Sequence, residues 1–309
     1  MEKMNTNGKG KLFGKRIGLL GKGGSGKSTI AVLLTMAIRD LGYQVCLLDA
    51  DSTNIGLAGA LGFDRSPETL LEYYGGMVFS GGSVTCPVDD PTPLEGAEIY
   101  LEKIPTEFFV QQDGITLLTA GKIGALGPGA GCDGPVSKIA RDLKVYSQGQ
   151  PLVTLVDFKA GFEDTARGAI TSLDWAIVVV DPTLAAIEMA SDLGNMVARM
   201  KALELPATLH LNDPGLIALA NKIFTEARIH GVLSILNKVQ DRETEIYMKK
   251  ELSARGIEPI GIIYEDDSMS MKWLRGEPLY GNDIDQEVHN IAKVIEACEA
   301  DVEEMEVVK

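Results

Sequence analysis

The sequence predicts an α/β fold: a doubly wound, mainly parallel sheet of seven to eight strands with helices on both faces. Three observations carry this. Short apolar runs at 16–20, 45–48, 115–118, 152–156, 175–180, 231–236 and 260–264 recur along the chain, and helical patterns fill most of the gaps between them. The runs at 45–48 and 152–156 stay apolar without alternating, as strands covered on both faces do. They lead into carboxylates, Asp49 and Asp51 after the first and Asp157 after the second, at the strand ends where a parallel sheet opens its ligand crevice.

The first run is followed by Gly21-Lys22-Gly23-Gly24-Ser25-Gly26-Lys27-Ser28-Thr29. This spacing fits G-x-x-x-x-G-K-[ST], a phosphate-binding loop in which small residues let backbone N–H groups converge on phosphate oxygens. The helix that follows directs its positive end at the same oxygens. Lys27 is expected to hold the β and γ phosphates of ATP or ADP, and Ser28 to place its hydroxyl on Mg²⁺, a hard cation that takes oxygen ligands. An ordinary glycine-rich turn requires neither Lys27 nor Ser28.

Length and composition bound the rest. The chain has 309 residues, 45% of them apolar, which suits one large domain. Residues 1–15 are rich in glycine and basic residues without apolar periodicity and read as a flexible arm. Residues 16–309 read as a single domain with insertions around 63–114 and 203–230, where glycine and proline interrupt the periodicity or an extra helical pattern is added. No apolar run approaches a membrane span and the N-terminus lacks a signal-peptide layout, so a cytoplasmic protein is expected. A net charge of −15 disfavours nucleic acid and anionic lipid. Four scattered cysteines, with no C-x-x-C pair, point to reduced thiols.

Lys22 adds a second lysine directly after the first glycine. It resembles the deviant P-loop of the family containing MinD, ParA, the arsenite-pump ATPase and nitrogenase iron protein. That resemblance implies a homodimer in the ATP state, with Lys22 reaching the partner's nucleotide. It also implies that Asp51 contacts the attacking water and that Asp49 supports the P-loop and the Mg²⁺ shell, although aspartates at strand ends also serve as caps. By the same resemblance Asp157 is the Walker B carboxylate behind Mg²⁺, and Gly161 offers its N–H to the γ-phosphate. Asn237 would read adenine through its paired donor and acceptor, with a plain turn role as the alternative.

Two further stretches bear on the branch of the family. Gly127-Pro128-Gly129-Ala130-Gly131-Cys132-Asp133-Gly134 is similar to the loop carrying a cluster cysteine in nitrogenase iron protein, and sits where the CooC-type accessory ATPases of carbon monoxide dehydrogenase have C-x-C. Here Gly134 takes the place of the second cysteine. Two Cys132 thiolates from facing subunits would suit Ni²⁺ or another thiophilic metal, with a structural or redox-sensitive thiol as the alternative. The run Asp157-Phe158-Lys159-Ala160-Gly161-Phe162-Glu163-Asp164 is similar to the CooC-type switch II, with Asp164 for the usual histidine. The resemblance therefore implies an ATPase that serves metallocentre maturation in a client metalloenzyme. A ParA- or MinD-type positioning or regulatory ATPase and an iron-protein-like reductase are the alternatives. Against a MinD-type basic anchor, the chain from residue 281 carries nine acidic residues and two lysines.

Overall fold

The computed structural model describes residues 10–78, 81–122, 132–204, 208–281 and 284–307. The first half of the fold runs β1 (Arg16–Gly21), α1 (Lys27–Asp40), β2 (Val45–Ala50), α2 (Leu57–Ala60), α3 (Leu70–Tyr73), β3 (Glu98–Tyr100), β4 (Val110–Gln112) and β5 (Ile115–Thr119). Then come α4 (Gly134–Asp142), β6 (Lys144–Ser147), β7 (Gln150–Pro151), β8 (Val153–Phe158), α5 (Glu163–Ala166), β9 (Trp175–Val180) and α6 (Leu184–Lys201). The chain closes with α7 (Pro214–Thr225), β10 (Gly231–Val239), α8 (Arg242–Ser253), β11 (Pro259–Tyr264), α9 (Asp267–Arg275) and α10 (Asp285–Val307).

Eight strands form one sheet in the order β11-β10-β9-β1-β8-β2-β5-β4. Every neighbouring pair is parallel except β4 with β5. Successive side chains of a strand point to opposite faces, and two buried clusters result. Leu48, Val156 and Val178 pack with α4, α6 and α8 on one face, while Leu47, Leu155 and Ile177 pack with α1 and α10 on the other. The apolar runs lack alternation because both faces are covered.

The first insertion carries structure that periodicity did not reveal, and the second holds the helix that periodicity suggested. Residues 63–114 hold α3, β3 and β4; β4 caps one edge of the main sheet, and β3 joins β6 and β7 in a second, three-stranded sheet. Residues 203–230 hold α7, whose N-terminus is capped by the Asp213 carboxylate accepting from Gly215 and Leu216 N–H. The packed structure also begins inside the expected arm. Leu12 is wholly buried and Phe13 packs against Tyr43. In α10, Val288, Ile291 and Ile295 are buried as the helical spacing predicts, whereas Val294 is exposed.

Candidate nucleotide site

Where β1 meets α1, the backbone is shaped by glycines that other residues could not replace. Gly21 has φ +152°, and a β-carbon there would lie 2.7 Å from the Val179 carbonyl oxygen; Gly26 has φ +90° and would collide with the Asn237 amide at 2.3 Å. Gly26 caps α1, whose first turn contains no acidic residue and no side-chain cap. The N–H groups of that turn are left for an anion. Lys27 lies buried beneath the loop with Nζ 3.4 Å from the Lys22 carbonyl. Burial lowers its pKa, and the nearby Asp157 and Asp51 oppose that shift. Lys22 itself is exposed.

The strand ends place the carboxylates side by side. In register, Asp49 of β2 pairs with Asp157 of β8, and Leu19 of β1 pairs with Asp157 on its other side. Asp157 is fully buried, which pushes its pKa up to about 6 against the opposing pull of Ser28 and Lys27. Its Oδ1 has no hydrogen-bond partner among the described residues, and Asn54 Nδ2 reaches Oδ2 at 3.5 Å while also donating to Ser28 Oγ at 2.9 Å. An orphaned buried oxygen beside a serine hydroxyl fits a hydrated divalent cation held by Ser28. Burial pushes Asp49 up to about 7, although Lys122 donates to its Oδ2 at 2.6 Å. Lys122 also donates to the Asp51 carbonyl at 2.6 Å. Asp51 is half-exposed, and its Oδ1 accepts from Thr53 N and Oγ1.

Switch II begins directly after β8. Gly161 adopts φ +95° and donates its N–H to the Gly21 carbonyl at 3.1 Å, so the group expected to meet a γ-phosphate is held on the P-loop itself. Lys159 donates to Asp133 Oδ2 at 2.5 Å, and Ser52 donates to Asp133 Oδ1 at 2.5 Å. Burial opposes the charge on Asp133, but these hydrogen bonds prevail and hold its pKa below the ordinary carboxylate value. Asp164 is buried, accepts from Ser137 at 2.5 Å and lies near Arg167.

A family model described as "CobQ/CobB/MinD/ParA nucleotide binding domain" matches residues 19–279. The chain belongs to this nucleotide-binding family. It is 33% identical over 180 residues to an uncharacterised ATP-binding protein of Methanocaldococcus jannaschii, covering 58% of this chain and 71% of that protein. It is 32% identical over 192 residues to the carbon monoxide dehydrogenase accessory protein CooC of Rhodospirillum rubrum, covering 58% and 70%. Among solved structures, MinD of Pyrococcus horikoshii complexed with Mg-ADP superposes with a TM-score of 0.57 at 17% identity, over 91% of this chain and 95% of that one, a likeness of fold.

The fold brings Lys27, Ser28, Asp49, Asp51, Asp157 and Gly161 near one another at the ends of β1, β2 and β8. Asn237 is buried and gives one amide hydrogen to the Ser25 carbonyl at 2.7 Å, bracing the P-loop, while its second amide hydrogen and its Oδ1 are not used by that bond. The Thr29 hydroxyl accepts from Trp273 Nε1 at 2.9 Å, tying the loop's end to α9. Sequence reasoning missed Asn54 and Lys122, because neither lies in a recognised spacing.

Cys132 is half-buried, while the glycine-rich stretch 123–131 before it lies outside the described residues. Cys86 sits beside it. Its thiol is raised above the ordinary value, chiefly by burial and in smaller part by the Cys132 charge. A β-carbon on Gly134 would stand 2.6 Å from Cys86 Sγ, so the space a second C-x-C cysteine would need is already filled by sulfur from another loop. Among the described residues, no group of three or more His, Cys, Asp or Glu side chains is arranged to hold a metal. No described helix is long and apolar enough to cross a membrane.

Proposed function

We propose that this chain is a Mg-ATP-dependent ATPase whose nucleotide cycle closes and opens a homodimer, and that the cycle serves insertion of a thiophilic metal, nickel in the first instance, into a client metalloenzyme. The observation that carries this reading is the anchoring of the Cys132 segment. At its front end Lys122 bonds Asp49 and the Asp51 carbonyl; at its far end Asp133, next to Cys132, accepts from Ser52 and Lys159. Both ends are tied to the nucleotide carboxylates themselves or to residues within two positions of them. A change at the phosphates is thereby passed to the thiol through ion pairs and hydrogen bonds. The 32% identity to the CooC accessory protein supports the same direction.

In this mechanism the P-loop amides and Lys27 bind the phosphates, and Asp51 orients the water for in-line attack on the γ-phosphate. Ser28, with Asp157 and Asp49 behind it, would hold Mg²⁺, which supplies charge neutralisation on the phosphates. Gly161 releases the Gly21 carbonyl and turns its N–H to the γ-phosphate, drawing Lys159 and hence Asp133 with it. Lys22 reaches the partner's nucleotide and, with Lys27, stabilises the charge that develops as the terminal bond breaks. Loss of the γ-phosphate returns the Gly161 N–H to Gly21.

Anaerobic protein with Ni²⁺, measured for mass and metal content without nucleotide, with ADP and with a non-hydrolysable ATP analogue, tests this reading. Dimers that form only with the analogue, and nickel that is lost in Cys132→Ser, are expected. Nucleotide-dependent dimers with no nickel in any state would move the weight to a positioning or regulatory switch.

A further inference from the structure

We propose that Cys86 and Cys132 of one chain form a thiolate pair that binds a thiophilic metal ion and leaves its other coordination positions open. The proposal rests on the metal-handling reading above and adds Cys86 as a ligand, which no spacing in the sequence pairs with Cys132. The two sulfurs converge on one residue: Gly134 donates its N–H to Cys132 Sγ at 3.2 Å, and Cys86 Sγ lies 2.6 Å from where a Gly134 β-carbon would be. Both cysteines are half-buried, within reach of an ion in solution.

Each sulfur is also provided with backbone donors. Cys132 has the Gly134 N–H, and the N–H groups of Val88 and Asp89 are directed at Cys86 in a turn that the Cys86 carbonyl closes with Asp90 N–H at 2.9 Å. Backbone N–H groups aimed at sulfur spread the negative charge of a thiolate and fix the direction of its lone pairs, as the outer shell of a metal–thiolate site requires.

The Cys86 loop is clamped to the helix that starts at Gly134. Buried Lys138 donates to Thr85 Oγ1 at 2.5 Å and to Asp90 Oδ2 at 3.2 Å, and Arg141 donates to the Pro91 and Thr92 carbonyls at 3.1 Å. Cys86 therefore keeps its place relative to α4 without help from an ion. Two thiolates suit a soft cation. Without a third side-chain ligand among the described residues, the ion keeps positions open to water or to an acceptor, which suits delivery better than storage. On binding, two S–H groups lose their protons to solvent and each sulfur donates a lone pair; the oxidation state of the metal does not change.

Cd²⁺ added to the full-length, anaerobic, reduced protein tests the pair, read by thiolate-to-cadmium charge-transfer absorption, proton release and alkylation of each cysteine mapped by mass spectrometry. The wild type should release about two protons per ion and protect both Cys86 and Cys132. Cys86→Ser and Cys132→Ser should each weaken uptake at least about tenfold, while Cys298→Ser binds as the wild type does. A cooperative circular-dichroism melt of Cys86→Ser confirms that the near-isosteric variant folds. Undiminished uptake in Cys86→Ser with loss in Cys132→Ser overturns the pair and leaves a site of two facing Cys132 thiolates standing. Uptake indifferent to both variants overturns the pair and the nickel reading together. Oxidation of the two thiols to a disulfide in protein that fails to protect them with Cd²⁺ also overturns it.

Discussion

Asp157 concentrates the chemistry of the crevice in one side chain. Its carboxyl is wholly buried and pushed up to about 6, with Asp49 up to about 7, both above the ordinary value of 3.8. In the nucleotide-free protein the folded state therefore holds protons that the unfolded chain has lost between about pH 4 and 7. Stability from these two groups is greatest near pH 4 and falls as pH rises through that window. Asp157→Asn removes the part of the slope below about pH 6. At pH 8 it raises nucleotide-free stability by about 1–3 kcal/mol while abolishing Mg²⁺-dependent hydrolysis, as urea denaturation and a phosphate-release assay will register. An unchanged pH slope would mean that Asp157 titrates normally. For Asn237 the expected outcome follows from its bond to the Ser25 carbonyl. Loss of a buried donor costs about 1–3 kcal/mol, so Asn237→Ala should weaken ATP and GTP by the same factor of roughly 10 to 100. A loss confined to ATP, in competition against a fluorescent nucleotide, would mean that Asn237 reads adenine.

At the scale of elements, what was legible in the sequence depended on the range of the interaction. The P-loop, Asp49, Asp51, Asp157 and Gly161 are fixed by chain neighbours, a strand end followed by a turn, and their spacing is visible without a partner. Asn54, Lys122 and the Cys86–Cys132 approach are set by contacts between segments far apart in the chain, and no local period records them. β3 and β4 escaped for a related reason, since three-residue strands are too short for alternation to register. The docking of α10 shows both cases. Its apolar stripe is plain in sequence, yet its far end is fastened by Glu299, fully buried, which accepts from Trp175 Nε1 at 2.8 Å and pairs with Lys15 at 2.5 Å. Removing one partner of a buried pair leaves the others unsatisfied. Glu299→Ala should destabilise the fold by about 3 kcal/mol, lowering the thermal midpoint by several degrees. Glu299→Gln, which retains an acceptor for Trp175, should cost less. Equal midpoints for Glu299→Ala and wild type would show that α10 is held by its apolar stripe alone.

For the whole molecule, the net charge sets the terms of the dimerisation proposed above. Two chains of −15 must approach one another, bringing anionic nucleotides with them. Long-range repulsion of this kind acts through solvent and is screened once the Debye length falls from about 14 Å at 0.05 M salt to about 6 Å at 0.3 M. The attraction between Lys22 and a nucleotide phosphate acts at contact, inside a closed interface, where salt screens it much less. The balance therefore favours association as salt rises. Sedimentation velocity with a non-hydrolysable ATP analogue should give a dimer dissociation constant that falls several-fold between these two salt concentrations, and Lys22→Ala should lose the dimer at both. A ParA-like nucleic-acid binder would respond in the opposite sense, because its partner is released as counter-ions return to the phosphates. A dimer that loosens steadily with salt would mean that complementary charged patches, and not the closed nucleotide contact, hold the two chains together.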